Sequence, residues 1–230
     1  MSSIAIITAR GGSKRIPRKN IKDFLGKPII AYSIEAALGS GVFDEVMVST
    51  DDEEIAEIAK KYGAKVPFFR SEATSNDFAT TADVILEVLD YYNKNLEKTF
   101  DHFICIYPTA PFVTADKLKD AYGQFKREDA DSLVPVVRFS FPPQRGFKCE
   151  NGIIQYLHPE FERTRSQDLE PIYHDCGQFY ICKADAFTEK KTLILNKTVP
   201  FFISETEVQD IDTETDWVIA EQKYKVMKGK

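Results

Sequence analysis

A basic stretch near the start of the chain, TARGGSKRIPRKN at residues 8–20, has the residue types of an anion-binding loop. It comes directly after the apolar run IAII at residues 4–7, which predicts a buried strand. Because Gly11 and Gly12 have no Cβ, the backbone amides can approach a phosphate closely. Positive charge comes from Arg10, Lys14, Arg15, Arg18 and Lys19. The stretch predicts a phosphate-binding loop, with a solvated basic loop beside a strand end as the alternative.

This basic loop (residues 8–20) differs from two widespread phosphate-binding motifs. The pattern G-x-x-x-x-G-K-[ST] of the P-loop does not occur, and no G-x-G-x-x-G follows a predicted strand. The sequence therefore argues against a P-loop nucleotidase. It also argues against an NAD-dependent oxidoreductase, which a similar sheet could support.

Two alternating carboxylates near the other end of the chain, in EVQDIDTETDW, are candidate metal ligands. On an extended segment Asp210 and Asp212 point to the same side, about 7 Å apart, close enough to share a hard cation. Mg²⁺ prefers one or two carboxylates together with substrate oxygens. Alternatively, Asp212 caps the last helix and Asp210 is solvated. Together with the basic loop, the pair indicates polyphosphate chemistry: one feature holds phosphates and the other the metal.

The first 137 residues alternate between strand-like and helix-period segments. Strands are predicted from IAIIT, DEVMVST, HFICIYP and DSLVPVV, with helices between them, one of which has capping-box spacing at Thr50 and Glu53. This alternation predicts an α/β fold with a mostly parallel sheet covered on both faces. Ligands bind such sheets at the carboxyl ends of the strands, here the loops 8–20, 49–52 and 107–113.

The alternation stops after Val137. Residues 138–175, here called the arm, contain prolines, aromatics, an Asn-Gly turn at 151–152 and one short strand, IIQYL. The arm is longer than an ordinary loop and is expected to pack against a second subunit. The regular pattern returns over residues 176–230, so the core is predicted to comprise 1–137 and 176–230.

Composition restricts the partners and the location. The net charge is −6 over 230 residues and the pI is about 5.3, which argues against a nucleic-acid partner. No segment approaches the ~18 apolar residues of a membrane span, and the N-terminus lacks the order of a signal peptide. We expect a soluble, cytoplasmic protein without a membrane partner.

The four cysteines have neither zinc-site nor disulfide-framework spacing and are expected to be reduced.

Five motifs in order along the chain resemble one enzyme family. They are ARGGSKRIPRKN at 9–20, VSTDD at 48–52, YPTAP at 107–111, GQFY at 177–180 and DIDTETD at 210–216. Together they resemble the cytidylyltransferases that activate nonulosonic acids, the sialic-acid-type CMP-sugar synthetases. Within that family, YPTAPF and RTRSQDLEP are most similar to the branch that uses pseudaminic acid. In the N-acetylneuraminate branch a Gln commonly stands at the position of Tyr107.

The resemblance implies a Rossmann-like nucleotidyltransferase three-layer sandwich in which the arm mediates homodimerisation and completes the partner's active site. The implied reaction joins CTP to a nonulosonic acid, pseudaminic acid being favoured, and releases pyrophosphate with the help of Mg²⁺. Enzymes for N-acetylneuraminate, legionaminate or Kdo are the alternatives, as is a regulatory module that binds CTP without turning it over. Val113 replaces an Arg present in some sialic-acid members, which leaves the sugar open.

The resemblance also assigns roles to individual residues. The catalytic residues are Arg10, Lys19, Asp210 and Asp212, the last two as metal ligands. CTP would be bound by Ala9, Arg10, Gly11, Gly12, Ser13, Lys19, Asn20, Arg70 and Thr80. The sugar would be bound by Tyr107, Arg145, Arg165, Gln178 and Tyr180.

Two further features have both a functional and a structural interpretation. His174 and Asp175 could provide a base or could form a structural hydrogen bond. Arg145 could contact the acceptor carboxylate through two hydrogen bonds or could be solvated.

Overall fold

A seven-stranded sheet forms the centre of the protein. The computed structural model describes residues 1–229; Lys230, the last residue of the predicted core, lies outside the described residues. The strand order is β11-β6-β10-β5-β1-β4, with β9 also paired to β6. The strands of this sheet are β1 (Ser3–Thr8), β4 (Glu45–Ser49), β5 (His102–Ile106), β6 (Ser132–Arg138), β9 (Tyr173–Asp175), β10 (Phe179–Lys183) and β11 (Thr198–Phe202). A short ribbon of β2 (Asp23–Phe24) and β3 (Lys27–Pro28) follows the basic loop.

The sheet is mostly parallel, as predicted. The pairs β1/β4, β1/β5 and β11/β6 are parallel, whereas β10 runs antiparallel to both of its neighbours, β5 and β6. The strand β9 is also antiparallel to β6. The carboxyl ends of β1, β4, β5 and β6 therefore lie at one edge, together with the amino end of β10.

Helices cover both faces of the sheet. They are α1 (Ile29–Ser40), α2 (Glu53–Lys61), α3 (Glu72–Ser75), α4 (Thr81–Leu96), α5 (Ala115–Arg127), α6 (Ala184–Lys190) and α7 (Glu214–Met227). Along β1 the side chains of Ala5 and Ile7 pack with α1, α2 and α5, and those of Ile4 and Ile6 pack with α4 and α6. This alternation is what a strand buried on both faces requires. The predicted three-layer α/β sandwich is confirmed.

A third apolar cluster anchors the last helix beside the basic loop. Trp217 of α7 packs against Phe24 of the β2/β3 ribbon with ring centroids 5.5 Å apart, and Ile16 from the basic loop is buried in the same cluster. Thr213 begins α7 with a reciprocal capping box to Asp216. Asp212 is therefore not the cap of this helix, and its side chain is left for other contacts.

The arm contains little regular structure. Its one hairpin joins β7 (Phe147–Glu150) to β8 (Ile153–Tyr156) through the predicted Asn-Gly turn. The rest of its regular structure is three single 3₁₀ turns and the strand β9 at its end. Because β6 and β9 pair at residues 136–138 and 173–175, the main sheet reaches both ends of the arm. The division into core and arm stays a prediction.

Three smaller points concern sequence expectations. The expected cap at Thr50 is wrong: Asp52 caps α2, its Oδ1 accepting from the amide of Ile55 at 3.0 Å, because the helix begins only at Glu53. All four cysteines are free thiols. Among residues 1–229, no helix has the length and apolar character needed to cross a membrane.

Candidate active site

The basic loop and the aspartate pair meet at Lys19. Its Nζ donates to the carbonyl oxygen of Ile211 at 2.6 Å and lies 3.4 Å from Oδ1 of Asp212. Arg15 reaches the same carboxylate oxygen at 2.9 Å. The basic loop and the aspartate pair lie almost the whole chain apart in sequence and are thus in direct contact in the fold. Their interpretation as parts of one phosphate and metal site requires such a contact.

Three adjoining cavities open around Tyr107, which follows β5 and lines all of them. We call them the loop cavity, about 400 Å³ and lined by the basic loop; the inner cavity, about 270 Å³ and beside α4; and the outer cavity, about 580 Å³ and beside β9. The carbonyl of Tyr107 accepts from Ser33 Oγ at 2.8 Å and its amide donates to Gln178 at 2.9 Å. A larger cavity, about 900 Å³ and between α4 and α6, contains none of the predicted site residues.

Arg10 stands between the loop cavity and the inner cavity. Its Nη1 donates to Oδ1 of Asp77 at 2.8 Å and to the carbonyl of Asn76 at 3.2 Å. Lys14 contacts the other oxygen of the same carboxylate. These hydrogen bonds hold the pKa of Asp77 below its usual range, with Lys14 the largest cause. Asp77 therefore occupies the position of an anion beside two of the loop's cations.

The glycines of the basic loop serve different purposes. The amide of Gly11 donates to Oδ1 of Asp51 at 2.8 Å, and a Cβ on Gly11 would lie only 2.7 Å from Oδ2 of Asp52. Gly12, in contrast, has no atom within 4 Å of where a Cβ would be. A glycine is required at position 11 because the backbone packs closely against the start of α2. The amide of Gly11 is already bonded to Asp51 and is therefore not directed at a ligand.

Of the remaining residues predicted to bind CTP, some stabilise the basic loop and some line the loop cavity. Ala9 is fully buried, and Asn20, 5% exposed, donates to the carbonyl of Arg10 at 2.8 Å and so fixes the loop from within. Ser13 and Asn20 line the loop cavity.

Arg70 and Thr80 lie together in the inner cavity, as expected for one ligand. Arg70 is 8% exposed and its Nη2 donates to the carbonyl of Ser49 at 2.7 Å, while burial lowers the pKa of its guanidinium. The hydroxyl of Thr80 is engaged in a capping box with Asp83 at the start of α4. Thr80 thus orients the helix that lines the cavity.

The outer cavity is lined by Asp210 and Tyr107, whereas Tyr180, the other predicted tyrosine, does not line it. Tyr107 and Tyr180 pack edge to face, with ring centroids 5.7 Å apart. Burial raises the pKa of both phenols. Gln178 is 3% exposed, and its Nε2 donates to the carbonyl of Glu207 at 2.7 Å, so it supports the wall from behind.

Arg145 and Arg165, the two predicted sugar-binding residues of the arm, line none of the three cavities. Arg165 pairs with Asp168 within the arm, Nε to Oδ2 at 2.7 Å, and its side chain is 72% exposed. Arg145 donates to Ser166 Oγ at 3.3 Å. Within one chain, the sequence-predicted sugar residues are therefore not all brought together.

Like charge is concentrated at the aspartate pair. Desolvation and then the neighbouring Asp212 carboxylate raise the pKa of Asp210. A divalent cation would relieve this repulsion, and two carboxylates are a donor set that Mg²⁺ accepts with substrate and water oxygens completing its shell. No group of three or more His, Cys, Asp or Glu suited to a metal occurs within residues 1–229.

Several cavity-lining residues were not predicted from the sequence. In the outer cavity these include Arg138 and Lys223; in the loop cavity, Asp77. His174 and Asp175 do not pair with each other's side chains: Nδ1 of His174 contacts the backbone oxygen of Asp175 at 2.9 Å. Local sequence offers no signal for Asp77, because its partners lie more than sixty residues away.

The fold and this edge of the sheet define a nucleotidyltransferase. A sequence profile described as "Cytidylyltransferase" matches residues 4–205, and the chain belongs to that family. It is 45% identical to the pseudaminic acid cytidylyltransferase of Campylobacter jejuni, covering 98% of this chain and 97% of that one. It is 36% identical to the CMP-N,N'-diacetyllegionaminic acid synthase of Legionella pneumophila, covering 96% of each.

A solved structure of CMP:2-keto-3-deoxy-manno-octonic acid synthetase complexed with CTP is similar over the full length of both chains, with a TM-score of 0.70 and 17% identity. At that identity the likeness concerns the fold, and it supports the fold expected from the sequence.

Replacing Gly11 by Ala should destabilise the protein, whereas the same change at Gly12 should not. The new methyl group would collide with the Asp52 side chain that caps α2. We expect Gly11→Ala to lower the free energy of unfolding by about 1–2 kcal/mol, the usual cost of a lost cap, and Gly12→Ala to change it by less than about 0.5 kcal/mol. Urea denaturation followed by circular dichroism measures both; equal effects would contradict the assigned packing role.

Proposed function

We propose that the protein condenses CTP with a nonulosonic acid, preferably pseudaminic acid, to give the CMP-sugar and pyrophosphate. The observation that carries the proposal is the contact of the basic loop with the aspartate pair, beside three cavities that meet at Tyr107. The pseudaminic acid cytidylyltransferases of Campylobacter jejuni, at 44–45% identity over nearly the whole chain, support this acceptor. N-acetylneuraminate, legionaminate and Kdo are the alternative acceptors.

In the proposed complex each cavity takes one part of the substrates. The cytosine and ribose occupy the inner cavity beside Arg70 and Thr80, and the triphosphate occupies the loop cavity. The sugar occupies the outer cavity, which Tyr107 lines; Gln178 and Tyr180 support that wall without lining it. Because Tyr107 borders all three, the α-phosphate and the anomeric hydroxyl meet next to it.

The reaction requires positioning and charge neutralisation rather than a covalent intermediate. The anomeric hydroxyl attacks the α-phosphorus and pyrophosphate leaves in line. Arg10 and Lys19 stabilise the negative charge of the triphosphate and of the leaving group, and Arg10 exchanges its contact with Asp77 for phosphate oxygens. Asp210 and Asp212 would hold Mg²⁺, which would neutralise charge at the α-phosphate.

The arm completes the site of the partner in the proposed homodimer. Its hairpin exposes apolar side chains on both faces, including Phe147 (56% exposed), Ile153 (64%) and Ile154 (63%). Monomeric proteins seldom leave such contiguous surface open. Arg145 and Arg165 lie outside the cavities of their own chain and would reach the acceptor in the other subunit.

A panel of acceptors tests the reaction. With CTP and Mg²⁺, pyrophosphate release is expected with pseudaminate at a kcat/KM well above that for N-acetylneuraminate, legionaminate and Kdo. Release with no acceptor would rule out the proposed reaction and favour a module that only binds CTP. Release with N-acetylneuraminate alone would rule out pseudaminate as the substrate.

Removing a charge from the loop or the aspartate pair should abolish turnover without unfolding the protein. We expect Lys19→Ala and Asp212→Ala each to lower kcat by at least about 100-fold, the scale of a lost electrostatic contact to a transition state. Lys22→Ala is the control, since Lys22 pairs with Glu214 outside the cavities and should retain kcat within a few-fold. Near-normal turnover of either test variant at saturating CTP and Mg²⁺ would refute the assigned role.

Mixed dimers test whether the arm acts in the partner's site. Co-expressed Lys19→Ala and Arg165→Ala chains form heterodimers in which one site combines an intact core with an intact arm. About a quarter of all sites should then be functional, so activity should recover to about a quarter of the wild type. Lys19→Ala combined with Asp212→Ala is the control and should not recover, because both changes are in the core. No recovery in the first mixture would contradict an arm that works in trans.

A further inference from the structure

Asp175 is a carboxylate in the wall of the outer cavity, and the sequence suggested for it a base or a structural hydrogen bond but no contact with the sugar. It ends β9, and two groups of its own chain fix its orientation. Oδ2 accepts from the hydroxyl of Tyr180 at 2.5 Å, and Oδ1 accepts from the amide of Gly177 at 2.7 Å. One side chain in a defined orientation is what selective recognition of a ligand requires.

No cation neutralises this carboxylate within residues 1–229. Lys223 lines the same cavity, but its Nζ donates to the carbonyls of Val208 at 2.7 Å and Glu205 at 3.4 Å. Arg138, also in the cavity wall, makes no ion pair with Asp175 within 4.0 Å. A carboxylate offers about four lone-pair positions, of which two are used here, so two are available to a ligand.

The support of Asp175 extends to the nucleotide side of the site. The ring of Tyr180 packs against Tyr107, and the hydroxyl of Tyr107 lies 3.1 Å from Oγ1 of Thr81 in the inner cavity. A phenol has a single proton to donate, and that of Tyr180 is directed to Asp175. The carboxylate is thus held by a packed row of side chains rather than by a flexible loop.

We infer that Asp175 determines acceptor specificity by accepting a hydrogen bond from a neutral hydroxyl or acylamino N–H of the sugar. The inference rests on the proposed function, which makes the outer cavity the acceptor site. A nonulosonic acid has one anionic group, its carboxylate, and several neutral donors. An unneutralised carboxylate in the wall repels the former and binds the latter, so it also sets which way the sugar faces.

Asp175→Asn tests the inference because it keeps the shape of the side chain and removes its charge. With the best acceptor of the panel, the KM for the sugar should rise by about 10- to 100-fold, the range for losing a charge-assisted hydrogen bond. The KM for CTP should stay within about twofold. Asp129→Asn is the matched control: this exposed carboxylate pairs with Lys183 at 2.9 Å, lines none of the three cavities and should leave both values nearly unchanged.

The Tyr180→Phe variant distinguishes a direct contact of Asp175 with the sugar from a purely structural role of Asp175 in holding Tyr180. This variant retains the carboxylate and removes one of its holders, so its rise in the sugar KM should be clearly smaller than that of Asp175→Asn. An equal rise would mean that Asp175 acts only by holding Tyr180, which overturns the inference. An unchanged sugar KM in Asp175→Asn also overturns it while the proposed function stands. Absence of pyrophosphate release by the wild type with every acceptor would instead refute the proposed function.

Discussion

Neutralisation of the basic loop is the constraint on which the site depends. Five cations within ten residues repel each other, and carboxylates from three distant segments, Asp52, Asp77 and Asp212, each contact some of them. These contacts differ in kind. Asp52 also caps α2 and adjoins Gly11, so its contact with Arg18 is part of the fold.

The contacts of Asp77 are different, because both partners are substantially exposed. Solvent screens ion pairs of this kind, so phosphate oxygens can replace the carboxylate at little cost. The loop is thereby divided into a fixed anchor and exchangeable cations. This division would allow the loop to be ordered without a ligand and still bind the phosphates proposed for it.

The antiparallel strand β10 determines which side chains surround Tyr107. Phe179 at its amino end pairs with Ile106 at the carboxyl end of β5. Residues preceding β10, including Asp175, are therefore brought to the edge at which ligands of parallel sheets bind. A parallel strand in that position would present its own carboxyl end there. The wall of the outer cavity is a consequence of strand direction as much as of sequence.

Much of the fold could be predicted from the sequence because it follows from local chemistry. The alternation of apolar runs and helix-period segments in residues 1–137, and the Asn-Gly turn of the arm, specified elements that the structure contains. Cap assignment was less certain, since Thr50 and Asp52 are both acceptable caps and only the start of α2 distinguishes them. Strand direction is not encoded by periodicity, so the antiparallel β10 was not foreseen.

Prediction of the site residues from the sequence has the same limit as prediction of the fold. The basic loop and the aspartate pair were recognisable in combination, since an Asp-x-Asp is common by itself but indicates polyphosphate chemistry beside a basic glycine loop. Asp77 was not recognisable, and Asp175 suggested only a base or a structural hydrogen bond, because their contacts are between distant segments and between strands of one edge. A single aspartate in a turn has many ordinary explanations, and only its neighbours in space distinguish them.

Charge also divides the recognition of the acceptor between the two proposed subunits. Within one chain the wall of the outer cavity contains the cations Arg138 and Lys223 and the carboxylates Asp210 and Asp175, the last residue of the arm; close to Asp175 the anionic end of a nonulosonic acid is disfavoured. The middle of the arm contributes two cations outside this cavity: Arg165 is held only by an exposed pair with Asp168, and Nε of Arg145 is buried with no partner among residues 1–229. If the middle of the arm enters the partner's site, the anionic end of the sugar faces Arg145 and Arg165 and its neutral groups face β9. Selectivity among nonulosonic acids, which share the carboxylate and differ in their neutral groups, would then reside in the wall formed by β9 and β10.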